Sequence, residues 1–182
     1  MLVTSENLLR RQSLFAQDFV SRSEELKEKI EGKSFLVVGG AGSIGSAVVK
    51  ELVLCRARKI VIVDLSENNL VKLIRSIRSG NLHVKSDLVT YSIDMDSPEF
   101  LCMLDEHLDF DYFMNFAALK HVRSERNAIT LSRLIRVNIL NAVKMARQAQ
   151  EYGAKRYFCV STDKAVNPLS MMGASKALME KF

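Results

Sequence analysis

Between an apolar run and a helical pattern, the chain carries Gly39-Gly40-Ala41-Gly42-Ser43-Ile44-Gly45. No other segment constrains the fold as tightly. It reads as Gly39-x-x-Gly42-x-x-Gly45 or as Gly40-x-Gly42-x-x-Gly45, and the physics is the same either way. A diphosphate needs main-chain N–H groups and a helix N-terminus close by, and a side chain at the nearest positions would block its approach. The turn has a partner in Asp64, about twenty residues further on at the end of the next strand candidate, where a carboxylate accepts hydrogen bonds from ribose hydroxyls. An acid there repels a 2′-phosphate, so the expected cofactor is NAD, with NADP disfavoured. Gly39, Gly42, Ser43, Ile44, Gly45 and Asp64 are the first cofactor-binding candidates. The bland alternative is a tight structural turn followed by a strand-end acid.

The pattern around the turn is strand alternating with helix. Strands are predicted at Ser34–Gly39, Lys59–Asp64, Leu88–Asp94, Tyr112–Phe116 and Arg156–Ser161, each short and nearly continuous in apolar character, as strands covered on both faces require. Helical patterns lie at Ser46–Ala57, Ser66–Ser79, Ser97–His107 and Leu131–Tyr152, with a last helix from Leu169 to Phe182. Ser66 and Ser97 are suited to N-caps, and Gly80 and Gly153 stand where helices stop. Repeated strand–helix–strand units mean right-handed crossovers and an α/β fold, a Rossmann-type doubly wound parallel sheet. Residues 1–32 read as a separate, charged helical segment, with Leu26 and Ile30 on one face. Residues 33–182 form the nucleotide-binding domain.

Composition narrows the classes. In 182 residues, 26 Lys and Arg against 21 Asp and Glu leave a net charge of +5. The basic residues are spread along the chain, without the single crowded face of a nucleic-acid binder, and the excess suits an anionic small molecule. The three cysteines, Cys55, Cys102 and Cys159, are odd in number, widely spaced and set in apolar runs. They read as reduced, buried side chains of a cytoplasmic protein. No Cys/His grouping has zinc-ligand spacing. Met1–Leu14 is interrupted by polar residues and does not read as a signal peptide. No run reaches the roughly eighteen apolar residues of a membrane span.

Further candidates stand at the other strand ends, where open α/β sheets bind ligands. Asp94 is placed to meet an adenine edge, or simply to initiate the following helix. Asn115-Phe116-Ala117-Ala118 ends the fourth strand with small residues, so Ala117 and Ala118 allow a ribose close approach. Lys120 and His121 follow and are substrate-binding candidates, or a solvated pair. The fifth strand runs into Ser161-Thr162-Asp163-Lys164, which supplies hydroxyl donors, a carboxyl group and a cation, or else a polar loop. Asn138 is a polar residue on an otherwise packing face, suited to satisfying a neighbouring backbone group. Lys176, on the last helix, is positioned to reach back.

Taken together, Gly39-x-x-Gly42-x-x-Gly45, Asn115-x-Ala-Ala, Ser161-Thr162-Asp163-Lys164 and Met172-x-x-x-Lys176 resemble the extended short-chain dehydrogenase/reductases. Ala118-Leu119-Lys120-His121-Val122 and the stretch from Ser161 to Lys176 narrow the resemblance to the polysaccharide-biosynthesis branch. That branch includes nucleotide-sugar 4,6-dehydratases such as those acting on UDP-N-acetylglucosamine. The resemblance implies a catalytic set of Ser161, Asp163, Lys164 and Lys176, the last also holding the nicotinamide ribose. It places Met172 where the usual tyrosine stands, and a thioether neither holds nor releases a proton. One subgroup of these dehydratases carries methionine there.

The implied reaction is an internal redox cycle. A hydride leaves C4 of the sugar, the C5 proton becomes acidic, water leaves from C6 and the hydride returns to C6. Asp163 is assigned the acid role, and Lys164 the role of base or electrostatic stabiliser. The resemblance also implies a homo-oligomer seamed by the helices Leu131–Tyr152 and Leu169–Phe182. It implies further strands and a carboxyl-terminal substrate region, so the chain is read as a fold truncated before that region, with the fifth strand at a sheet edge. The rival expectations are a nucleotide-sugar 4-epimerase or reductase of the same superfamily, and a non-catalytic NAD-binding domain.

Overall fold

The computed structural model describes residues 16–80, 84–120 and 125–182. The helical reading of residues 1–15 and the reading of Met1–Leu14 as no signal peptide lie outside them. In chain order the elements are α1 (Ala16–Ile30), β1 (Ser34–Val38), α2 (Ser43–Leu54), β2 (Lys59–Val63), α3 (Glu67–Ser79), β3 (Asp87–Tyr91), α4 (Pro98–Glu106) and β4 (Tyr112–Asn115). They continue with α5 (Ala128–Ile135), a π-helical turn (Arg136–Leu140), α6 (Asn141–Glu151), β5 (Arg156–Cys159), a 3-10 turn (Asp163–Ala165) and α7 (Met171–Met179). Ser66 caps α3 as expected, accepting from the N–H of Asn69 at 3.3 Å. Ser97 occupies the N-cap of α4 without a side-chain capping bond.

The five strands form one parallel sheet in the order β3-β2-β1-β4-β5, a Rossmann-like α/β fold. Period-two alternation sorts β1 and β2 between two cores. Leu36, Val38, Val61 and Val63 pack with Phe100, Met103, Leu104 and Met145 of α4 and α6. Phe35, Val37, Ile60 and Ile62 pack with Val49, Leu52, Val53, Leu70, Leu73 and Ile77 of α2 and α3. Two-sided burial is why these strands are apolar at every position from Ile60 to Val63 and Phe35 to Val38. The edge strands differ: in β3 and β5 no residue is fully buried, and Phe158 of β5 remains half exposed.

Three expectations are corrected here. β3 ends at Tyr91, so Asp94 lies in the loop beyond it. The long helix starts at Ala128 and is interrupted by the π-turn. Cys102 is exposed, because it lies on the outer face of α4, while Cys55 and Cys159 are partly covered. Leu26 of α1 is also exposed, and only Ile30 reaches the core. Among the described residues no helix is long and apolar enough to cross a membrane.

One polar contact inside the fold carries a pH signature. His107, buried at the end of α4, receives an N–H of Lys59 at Nδ1 (2.9 Å) and lies 2.9 Å from the Tyr91 hydroxyl at Nε2. An ammonium can only donate, so Nδ1 is the acceptor and the Nε2–H donates to Tyr91. Tyr91 in turn donates to Glu106 at 3.1 Å. Burial, reinforced by the Lys59 charge, holds the imidazole below its ordinary value. The native state therefore prefers neutral His107, while the unfolded chain takes up a proton below about pH 6.5. Stability present above that pH should fall as the pH is lowered through it. Thermal melts of wild type and His107→Gln between pH 8 and 5 should diverge, the wild type losing more; parallel curves would refute the assignment.

Candidate functional site

The strand order reverses direction between β1 and β4: the chain builds outward through β2 and β3, then crosses back to the far side of β1. A crevice opens outside the carboxyl ends of the strands at such a switch point. The register brings those ends level, with Val38 opposite both Val63 and Asn115. A cavity of about 560 Å³ lies there, walled by the glycine turn, the loops after β2, β3, β4 and β5, and faces of α5 and α7.

The glycines serve different purposes. Gly39 has φ +72° and packs so closely on the chain after β4 that a Cβ would stand 2.7 Å from the Ala117 nitrogen. At Gly45 a Cβ would stand 2.3 Å from the Gly39 carbonyl oxygen, so its bareness lets α2 sit against the turn. Gly42 is another matter. Its φ of −71° suits any residue, and a Cβ would meet only the Gly39 oxygen, at 3.3 Å. The fold barely requires a glycine there, yet the position faces the cavity. As N-cap of α2, Gly42 offers no side-chain acceptor, and the first turn of the helix holds no acidic residue. The N–H groups of Ser43, Ile44 and Gly45 are thus left for an anion at the positive end of the helix. These residues fit the diphosphate of a dinucleotide.

Asp64 lies just past β2 on the cavity wall. Its Oδ2 accepts from the N–H of Ala41 and its Oδ1 from the N–H of Ser66, both at 3.0 Å. The carboxylate therefore ties the glycine turn to the loop after β2, and each oxygen keeps a further lone pair for a ribose hydroxyl. The Oδ1 of Asp94 accepts from the N–H of Asp96 at 3.0 Å, initiating the turn before α4, and the residue lines the cavity.

Ala117, Ala118 and Lys120 line the wall after β4, while His121 lies outside the described residues. This loop is clamped by Asn138, which is fully buried in the π-turn. Its Oδ1 accepts from the N–H of Leu119 at 2.9 Å, and its Nδ2 donates to the Leu119 carbonyl at 3.0 Å and to the Ser175 hydroxyl at 3.0 Å. One amide thereby joins the β4 loop, the π-turn and α7, which is the backbone-satisfying role expected of it.

On the β5 side, Ser161, Thr162, Lys164, Met172 and Lys176 line the cavity. Gly173 lets α7 approach, since a Cβ there would stand 2.5 Å from the Lys164 carbonyl oxygen. Lys176 is buried and donates to the Val160 carbonyl at 2.9 Å; burial pulls its ammonium below the ordinary lysine range. Ser161 donates to the carboxylate of Glu180. Met172 is buried, and its N–H donates to Glu125 at 2.9 Å. Asp163 stands apart: it is exposed and does not line the cavity. The Thr162 hydroxyl, donating to it at 3.0 Å, holds its carboxyl below the ordinary range.

Residues 35–182 match the family described as polysaccharide biosynthesis protein. The chain belongs to that family. The chain is 31% identical over 154 residues to the UDP-N-acetylglucosamine 4,6-dehydratase (inverting) of Campylobacter jejuni, covering 83% of this chain and 42% of that protein. It is also 31% identical over 160 residues to a UDP-glucose 4-epimerase of Rickettsia bellii, covering 82% of this chain and 42% of that protein. Among solved structures, the UDP-glucose-4-epimerase from Stenotrophomonas maltophila with bound NAD and formylated UDP-arabinopyranose superimposes with a TM-score of 0.67. Its identity is 23%, over 83% of this chain and 47% of that one, which is a likeness of fold. The chain thus spans less than half the length of each of these relatives.

Five residues at the site carried no sequence signal: Arg133, Val137 and Asn141 on the cavity wall, and the carboxylates of Glu125 and Glu180 against α7 and Ser161. Each is an ordinary helix or loop residue until packing brings it to the site. Among the described residues no cluster of His, Cys, Asp and Glu is arranged to hold a metal ion.

Proposed function

We propose that this protein is an NAD-dependent nucleotide-sugar 4,6-dehydratase in surface-polysaccharide assembly, acting on UDP-N-acetylglucosamine or a similar sugar. The observation that carries the reading is the cavity itself. A bare helix N-terminus and Asp64 line one part of it, and Ser161, Thr162, Lys164 and Lys176 line another. NAD, when bound, supplies the hydride chemistry at C4 and C6 of the sugar. The chain's own part is orientation and electrostatics. Gly42 to Gly45 present main-chain amides to the diphosphate, and Asp64 accepts from the adenosine ribose. Asp94 meets the adenine edge, Ala117 and Ala118 leave room for the ribose, and Lys176 holds the nicotinamide ribose. Lys120 and His121 bind the sugar nucleotide.

Lys164 takes the C5 proton as the base, or stabilises the charge that develops as that proton leaves. Asp163 is the acid for the departing C6 hydroxyl. Its lowered pKa means that it starts ionised and must take a proton from solvent, to which it is open, before it donates. Met172 cannot serve as a base, so the proton from the C4 hydroxyl goes to another acceptor. Residues 33–182 act as the cofactor-binding domain, and α5, α6 and α7 seam a homo-oligomer.

The second reading, a 4-epimerase, is favoured by the equal identity to the Rickettsia bellii protein. Incubation with NAD and UDP-N-acetylglucosamine should yield a 4-keto-6-deoxy sugar, seen by mass spectrometry as loss of water. Asp163→Asn should slow that turnover about a hundredfold, at the low end of general-acid contributions. A C4 epimer without loss of water would instead favour the epimerase. NAD binding with no change in the sugar nucleotide would favour the non-catalytic reading.

A further inference from the structure

Arg133 is the charged residue of the cavity wall to which no role in binding or chemistry has been given. It lies in α5, and Val137 and Asn141 continue its stripe along the same wall through the π-turn into α6. Behind the stripe, Leu134 and Asn138 are fully buried, and the Asn138 bonds to Leu119 and Ser175 hold this stretch of helix in place. The base of the arginine is therefore rigid while its side chain is free to extend. Two other cations of the same helical stretch are already occupied. Arg136 and Lys144 both pair with Asp96, at 3.7 and 3.1 Å. Arg133 makes no ion pair or side-chain hydrogen bond among the described residues.

Charge on the cavity wall is divided. Asp64 and Asp94 stand at the loops after β2 and β3, with Lys120, Arg133, Lys164 and Lys176 on the β4, β5 and helical side. Of these four, Lys176 is committed to the Val160 carbonyl. Arg133 shares the cavity with the bare amides of Ser43, Ile44 and Gly45. A planar guanidinium with several donors matches two phosphate oxygens at once, a geometry that a lysine ammonium does not reproduce.

We propose that Arg133 is a diphosphate ligand, reaching the pyrophosphate of a nucleoside diphosphate group from the α5 wall of the cavity that the glycine turn also lines. The inference rests on the nucleotide-binding reading of the cavity and adds to it a side-chain contact from α5. Two molecules would bring this chemistry, the dinucleotide cofactor and the nucleotide sugar. ADP stands in for the first and UDP for the second.

Calorimetric titration of wild type, Arg133→Ala, Arg133→Lys and Arg147→Ala tests it. Arg147→Ala, exposed on α6 and outside the cavity, removes the same charge without the contact. Arg133→Ala should weaken ADP or UDP by about tenfold or more, as expected for losing a charge-assisted pair, and leave adenosine and uridine unchanged. Arg133→Lys should recover only part of the loss, and Arg147→Ala should match wild type. Which diphosphate is affected identifies the source. If Arg133→Ala and Arg147→Ala bind both diphosphates equally well, the proposal is overturned while the cavity reading stands. If wild type binds neither ADP nor UDP, the cavity reading fails and this inference with it.

Discussion

Replacing Gly42 with alanine should leave the melting temperature almost unchanged and weaken NAD binding by about a hundredfold or more, roughly 3 kcal/mol by the tenfold-per-1.4 kcal/mol rule. The added methyl meets only one protein atom, the Gly39 oxygen, at 3.3 Å. Its backbone angles are open to any residue, and the entropy removed from the unfolded chain offsets small crowding. What the methyl does enter is the cavity that Gly42 lines together with Ser43, Ile44 and Gly45. Gly45→Ala provides the contrast. There the methyl lies 2.3 Å from the Gly39 oxygen and 2.8 Å from the Gly40 Cα, so α2 must move off the turn. Overpacking of this kind costs about 1–3 kcal/mol or more, and the melting temperature should drop by about 2–4 °C for each of those. Melting curves and NAD titrations on both variants check the pair. Full-strength NAD binding by Gly42→Ala would mean that the turn serves the fold alone.

Lys176→Met should separate stability from chemistry in the opposite sense to Gly45→Ala. Burial lowers the lysine's pKa, so the folded state surrenders that proton more readily than the unfolded chain. At every pH below the folded value the native state carries a desolvated charge, and stability rises only as the pH climbs through the window between the folded and unfolded values. Methionine has similar length and no charge. It removes that burden at the cost of the Val160 contact of 2.9 Å. The variant should therefore melt within a few degrees of wild type near pH 7. Turnover of the sugar nucleotide should nonetheless fall by about a hundredfold to a thousandfold, the range for removing an electrostatic stabiliser from an active site. A large loss of melting temperature with unchanged turnover would reassign Lys176 to the structure.

Legibility in the sequence followed burial. β1 and β2 could be read within a residue because a strand covered on both faces must be apolar throughout, and their neighbours α2 and α3 carried matching stripes. β3 was harder. Residues 92–94 look strand-like, but the ladder with β2 stops at Val63 opposite Tyr91, and the chain turns away. The helix containing Asn138 reads as continuous because a π-turn leaves little trace in hydrophobic spacing. It arises from the tertiary need to aim one amide at Leu119, 19 residues earlier. The site divides in the same way. Ser161, Lys164, Met172 and Lys176 do converge on the cavity, whereas Asp163, between two of them, turns to solvent.

From its residues alone the chain determined the glycine turn, the acid that follows it and the alternation of strands with helices. Each depends on local geometry or on spacing of about twenty residues, which any fold built from these units must respect. Tertiary packing decided the rest. It chose which carboxylates meet Met172 and Ser161, which asparagine holds the β4 loop, and which arginine of several looks into the cavity. Those choices belong to side-chain directions set jointly by elements far apart in the chain, and no single segment encodes them.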